Sequence, residues 1–401
     1  MKKRMGIGLG LVVALAVSAC GGLDDELPAT PAPAAAAPAP APAAAAPAPA
    51  PAAAAPAPVP APAPAASVPN PGKFFNRIST FTVCSQVGSS CESDTETASE
   101  IVAASTDGNT LIYTNSPRGE IGFVDITDPT APRGIGALAM GGEPTSVTVL
   151  GSNALVAVNT SASFTSPSGQ LVIVDIAQRR VIRRIDLPGQ PDSVARSRDG
   201  RYVAVVIENE RDESLGTGAP PQLPGGGLVV VDAMGGPEAW TARTVDLGGI
   251  ATLFPTDAEP EYVDISEDNV AVVTMQENNH IALVDLATAR VTGHFSAGSV
   301  TLDKVDLIDS PRPNRVVLNQ TQANRLREPD GVAWVSKTRF ATANEGDLAG
   351  GSRGFTIFNT DGTVAFDSGN ALEHLAARIG HYNDKRSDAK GTEPENVAFG
   401  R

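Results

Sequence analysis

The stretch EPEYVDISEDNVAVVTMQENNHIALVDLATARVTG, residues 259–293, decides the fold. A short apolar run follows Glu-Pro, and the turn EDN (267–269) leads into VAVVTM (270–275). A polar patch, QENNH, separates that run from IALVDL (281–286), and RVTG starts a return. Short runs rich in Val and Ile, bounded by Gly, Asp and Asn, read as strands. Four antiparallel strands in about 45 residues make one blade of a β-propeller.

The same pattern recurs on both sides. Copies of the opening motif stand at EPTSV (143–147), QPDSV (190–194), EPDGV (328–332) and EPENV (393–397). Second strands recur as YVAVVI (202–207) and RFATA (339–343), and third strands as GFVDI (122–126), LVIVDI (171–176), LVVVDA (228–233) and FTIFNT (355–360). Last strands return as RVIRRIDL (180–187) and TVAFDSG (363–369). A first blade is expected from Ala98 to Gly142, with four more starting at Glu143, Gln190, Glu259 and Glu328. RISTFTV (77–83) is a candidate further strand, and EPENVAFGR (393–401) reads as the innermost strand of another blade. The expectation is an all-β propeller of four-stranded blades, about six visible, with a ring left incomplete by a truncated product. Residues 213–227 and 300–327 read as insertions, and insertions map to loops. No amphipathic helical window of useful length competes with the strands.

The N-terminus is built differently. MKKR is a basic n-region, MGIGLGLVVALAV an apolar core, and VSAC brings Cys20 after small residues. The apolar run is too short to span a bilayer and a cleavage-type site follows it. The order resembles a bacterial lipoprotein signal, with Val17 where Leu is commoner. That implies a signal peptide over 1–19 and a membrane-lipid anchor on Cys20; ordinary secretion is the alternative. Gly21 after the cysteine suggests, by the same resemblance, the outer membrane of a bacterial envelope. Residues 28–72 are almost only Pro and Ala. Such a segment has no core to bury and extends as a polyproline-like spacer, spanning on the order of 100 Å at about 3 Å per residue. Residues 20–72 thus form a lipidated N-terminus and tether, and 73–401 the propeller domain.

The net charge is −15, from 30 basic and 45 acidic residues. Loss of Lys2, Lys3 and Arg4 with the signal makes it more negative. This argues against nucleic acid as a partner. Exported chains meet an oxidising compartment, so Cys84 and Cys91 are expected to form a disulfide.

The segments PDSVARSRDGRYVAVVIENE, residues 259–293, EPDGVAWVSKTRFATANEGD, GSRGFTIFNTDGTVAFDSG and DKRSDAKGTEPENV together resemble the choice-of-anchor I propeller proteins of bacteria. The animal relatives of that family are mesenchyme-specific cell-surface glycoproteins. The resemblance covers roughly residues 77–401. It implies a secreted or surface-anchored propeller, with seven blades in the intact family fold, and some members carry phosphatase or phytase-like labels.

Carboxylates open the first strands: Glu143, Asp192, Glu259, Glu261, Glu328, Asp330, Glu393 and Glu395. A second set ends the second strands: Asn115, Asn159, Glu208, Glu210, Glu277, Asn278, Asn279, Asn344, Glu345 and Asp347. In an antiparallel pair the start of one strand lies beside the end of the next, so both sets fall on one face. Oxygen ligands of this kind suit calcium, which takes six to eight with loose geometry. The candidate ligands are Glu259, Glu261, Glu277, Glu328, Asp330, Asn344, Glu345, Asp347, Glu393 and Glu395. The competing explanation is that Glu-Pro only opens a strand.

Three functions follow from these features. One is a non-catalytic envelope module binding a cation, an unknown protein or a small molecule at an acidic channel mouth. Another is a calcium-dependent phosphoesterase, which needs basic clamps; Arg211, Arg327, Arg353, Lys385, Arg386 and Lys390 are available. The third is a relic without activity. GGSRG (350–354) fits a nucleophile-elbow pattern, but a strand follows it where a helix is needed, so it reads as a turn. His280, His294, His374 and His381 lack paired metal spacing, and His280 reads as a surface imidazole. Trp240 and Trp334 read as packing residues.

Overall fold

Each valine-rich repeat closes into a four-stranded antiparallel sheet in the computed structural model. The structure describes residues 76–87, 91, 96–309, 315–346 and 348–400. The expected signal peptide, Cys20 and the Pro/Ala tether lie outside these residues, as does Asp347. Blade 1 holds β1 (Val102–Ala104), β2 (Thr110–Asn115), β3 (Glu120–Asp125) and β4 (Arg133–Ala139). Blade 2 holds β5 (Glu143–Leu150), β6 (Asn153–Asn159), β7 (Gly169–Asp175) and β8 (Arg180–Leu187). Blade 3 holds β9 (Pro191–Arg196), β10 (Tyr202–Ile207), β11 (Gly227–Asp232) and β12 (Thr241–Asp246). Blade 4 holds β13 (Pro260–Ile265), β14 (Val270–Met275), β15 (His280–Asp285) and β16 (Arg290–Ser296). A hairpin of β17 (Ser299–Val305) and β18 (Gln320–Leu326) precedes blade 5, which holds β19 (Val332–Ser336), β20 (Arg339–Ala343), β21 (Phe355–Asn359) and β22 (Val364–Asp367). The expected blade starts at Glu143, Gln190, Glu259 and Glu328 agree with these sheets.

The burial pattern explains the sequence pattern. β10 is buried along its whole length, because the middle strands of a blade are covered on both faces. Such strands read as continuous apolar runs. The outer strand β16 alternates exposed and half-buried residues, since it meets water on one side. Cores lie between consecutive blades. Blades 4 and 5, for example, pack Val272, Ile281 and Leu283 against Val332, Phe340 and Phe358. The Phe340 ring stacks on Phe358 at 5.8 Å and meets the edge of Trp334 at 5.5 Å.

The inner strands β1, β5, β9, β13 and β19 contact one another in chain order. Together with Val397, Ala398 and Phe399 they line a central channel of about 460 Å³. Residues 393–400 therefore occupy an inner-strand place, as expected, but carry no strand assignment among the described residues. Gly331 N–H bonds Glu395 O at 2.9 Å and links them to blade 5.

Several expectations differ from the structure. RISTFTV forms no strand: its last residue begins a short 3-10 turn, Val83–Gln86. Gln86 at the end of that turn donates to the Tyr113 hydroxyl at 2.8 Å and accepts from Gly136 N at 3.0 Å. The segment thus lies against blade 1 by side-chain contacts. Residues 300–327 are mostly the β17–β18 hairpin, whose polar alternation hides its strands. Among the described residues one α-helix forms, α1 (Ala371–Ile379), from good helix formers ended by Gly380 at φ 78°. His280 is buried, not a surface imidazole. Cys84 and Cys91 form the expected disulfide.

Candidate cation site at the channel mouth

The motif places two kinds of carboxylate, and the structure separates them. Two residues before the inner-strand valines Val102, Val147, Val194, Val263, Val332 and Val397 stand Glu100, Thr145, Asp192, Glu261, Asp330 and Glu395. Their charges act on one another around the mouth. Asp192 is pushed up to about 7 by desolvation, then by Glu210 and Glu100. Glu261 is held well above the usual carboxylate range by desolvation, then by Glu208, Glu277, Asp192 and Asp330. Asp330 is raised by desolvation, then by Asp192, Glu345 and Glu395. Removing water from an anion and adding neighbouring anions both favour the protonated acid. Blade 2 breaks the series with Thr145, whose hydroxyl donates to Pro191 O at 3.0 Å and Asp192 O at 2.8 Å.

Residues two places earlier turn away from the channel. Glu259 is buried, with Arg211 Nη1 3.5 Å away, and burial followed by the Glu277 and Asp257 charges pushes it up to about 9. Glu328 is fully buried and accepts from Ala349 N and Gly351 N, tying down the loop after β20. Glu393 pairs with Arg386 and lies 3.7 Å from Lys390. These three candidate ligands therefore staple loops.

A depression of about 210 Å³ at the mouth is lined by Glu208, Glu210, Arg211, Glu213, Glu261, Gln276, Glu277 and Glu345. Basic side chains serve three of its carboxylates, Glu213 being 3.4 Å from Arg211 Nη2. Arg211 Nη1 bonds Glu277 at 2.8 Å, and Lys390 Nζ lies 3.7 Å from Glu345, which also accepts from Gln276 at 3.0 Å. Asp192, Glu208 and Glu261 form a third group, with one oxygen from each within 4.8 Å of the others. Among the described residues these three show no side-chain hydrogen bond or ion pair, and Glu208 too is raised well above its usual range by desolvation and by Asp192. Asp192 sits on β9, Glu208 just past the end of β10 and Glu261 on β13, so the cluster joins blades 3 and 4.

Of the other candidates, Asp330 and Glu395 belong to the ring, and Glu277 and Glu345 line the depression. Asn344 is buried inside blade 5, donating to Ser352 and Thr356 hydroxyls at 2.9 Å. Ser352 of GGSRG is itself buried. Among the proposed phosphate clamps, Arg327 pairs with Asp367 and Arg353 with Glu373, both away from the depression. Asp192 and Glu208 stood in the sequence patterns without being put forward as ligands. The signal available was the match of Asp192 in QPDSV to Glu261 in EPEYV.

Fold and mouth define a β-propeller with an acidic cluster able to hold a metal ion. The chain belongs to the choice-of-anchor I domain family, whose sequence model matches residues 100–350 and 348–401. No curated protein matches the sequence. Solved structures similar to it include a protein of unknown function from Bacteroides caccae, with 11% identity, 70% of this chain and 84% of that chain covered, and a TM-score of 0.41. The hydrazine synthase of Kuenenia stuttgartiensis matches at 17% identity, 74% and 83% coverage and a TM-score of 0.39. The selenomethionine-substituted virginiamycin B lyase of Staphylococcus aureus matches at 11% identity, 68% and 70% coverage and a TM-score of 0.42. Likeness at this level reaches neither ligand nor activity.

Proposed function

We propose that the protein is a cell-envelope binding module, anchored through Cys20, whose mouth takes a divalent cation of the calcium type at Asp192, Glu208 and Glu261. The observation carrying the site is the convergence of three carboxylates from two blades within 4.8 Å, without a basic side chain bonded to them among the described residues. The neighbouring carboxylates Glu277 and Glu345 each have one. Such a group is costly unless protons or a cation offset the repulsion. Loose oxygen geometry open to solvent suits calcium better than magnesium, which demands a strict octahedron and gives up water reluctantly. The phosphoesterase reading gains no support from the placement of its clamps, since Arg211, Arg327, Arg353, Arg386 and Lys390 are all engaged with carboxylates.

Calorimetric titration of the metal-stripped full-length chain tests the site. About one equivalent of calcium should bind, magnesium should bind more weakly, and the Asp192→Asn/Glu261→Gln pair should abolish the heat. Unchanged calcium binding in that double variant, or none in the wild type, overturns the assignment.

A further inference from the structure

Away from the carboxylates, blade 4 holds a buried titratable pair that cation binding does not use. His280 opens β15 and is 4% exposed. Its Nε2 lies 3.0 Å from Nδ1 of His294, an exposed residue on β16. The ring centroids are 5.3 Å apart, so with a 3.0 Å nitrogen contact the rings stand nearly end to end. That is a hydrogen-bond arrangement in which one nitrogen must donate and the other accept.

The proton count of the pair decides whether the contact survives. With both rings neutral, a single N–H lies between them. A single added proton on the pair need not break the contact. The contact is kept if His294 Nδ1 then donates and His280 carries its own proton on Nδ1. A second added proton sets N–H against N–H, and two positive rings repel. Among the described residues no carboxylate bonds the buried ring. His280 shares a sheet face with Ala282 and Val284, which pack among Leu247, Ala251, Ala258 and Met275. The carboxyl of Asp257 in the adjoining connection accepts from Gln222 N. Burial first, and then the His294 charge, disfavours the protonated His280 ring.

What the pair supports is the turn Gln276–Asn279, immediately before His280. Asn278 accepts from Glu259 N at 3.0 Å and donates to Asp257 O at 2.8 Å and Leu253 O at 3.0 Å. Asn279 accepts from Glu328 N and donates to Gly298 O, both at 3.0 Å. Gln276 donates to Glu345. One four-residue turn thus fixes the starts of two inner strands and one wall of the mouth.

We propose that the His280–His294 pair is an acid-sensitive latch on the mouth: double protonation separates the rings and frees the Gln276–Asn279 turn from its contacts with blades 3 and 5. The latch stays shut at neutral pH, because burial, and then the His294 charge, pushes His280 down to about 4. This inference does not depend on cation binding.

The test uses the full-length chain in chelator. Nitrogen-15 spectra of the histidine rings read the tautomers, and hydrogen exchange corrected for intrinsic rates reads peptide 276–283 from pH 7 to 4. His280 should stay neutral through pH 5, and protection of the peptide should fall at least tenfold between pH 5 and 4. His280→Gln keeps hydrogen-bonding capacity without titrating and should hold its protection over that range. If that variant lacks a cooperative melt at pH 7, His294→Gln replaces it, since its amide oxygen can accept from a protonated His280. Titration of His280 at or above 6.5, or the same loss in wild type and the folded variant, overturns the proposal.

Discussion

Replacing Asp192 by Asn should stabilise the protein in chelator, and calcium should cancel most of that advantage. Without a cation, the folded chain holds the Asp192 proton up to about 7, against 3.8 for the free side chain. A raised carboxyl contributes stability that is full below pH 3.8 and falls steadily as pH rises through 7. At 1.36 kcal/mol per pH unit the loss approaches roughly 4 kcal/mol, an upper bound because Asp192 titrates jointly with its neighbours. Asn removes the ionisation at nearly constant shape. In chelator at pH 8, Asp192→Asn should therefore exceed wild type by about 1–4 kcal/mol, and the gap should close at pH 4. Calcium at a hundredfold excess over its dissociation constant should return about 2.7 kcal/mol to wild type and little to the variant. The assay is urea unfolding at pH 4, 6 and 8, with chelator or calcium. A variant no more stable than wild type in chelator at pH 8, or equal calcium stabilisation of both, would refute the reasoning.

Arg211→Met should cost about 3–5 kcal/mol at pH 7, because it breaks the buried Arg211–Glu277 ion pair from one side; urea unfolding measures it, and pairing it with Glu277→Gln should recover most of the loss. Asn278→Ala should cost about 2–3 kcal/mol, since Glu259 N–H and several carbonyls lose a buried partner, and hydrogen exchange should rise in residues 253–260. Phe340→Ala should cost about 3–5 kcal/mol through the cavity left between blades 4 and 5, read as a lowered melting temperature. A clickable fatty acid should label the wild-type chain in a bacterial host and fail to label Cys20→Ala; equal labelling would remove the anchor.

The blades were legible because their middle strands are buried on both faces, which leaves unbroken runs such as YVAVVI in the chain. Their order followed from the turn at EDN and from the recurring Glu-Pro opening motif. The mouth was half legible. Spacing put Glu259 and Glu261 together, yet only Glu261 reaches the channel. The pairing slips at this point in the strand, between Pro260 and Val263, which blurs any alternation rule. The partners that draw the earlier glutamates away lie far off in sequence: Arg211 for Glu259, and the backbone of 349–351 for Glu328. His280 was misread because it opens β15, a middle strand paired on both sides, with Met275 on β14 and Ser296 on β16, which a local window does not show. The hairpin at 299–326 carries polar residues on both sides and gives no apolar period.

The channel beneath the ring has a consequence for exchange. Its inner strands bond outward to their own blades, so strand-edge amides and carbonyls face the opening. At about 30 Å³ per water, the space has room for on the order of ten molecules. A cation at Asp192, Glu208 and Glu261 would therefore face solvent above and a hydrated bore below. Such an ion would keep part of its water and would exchange without any strand parting.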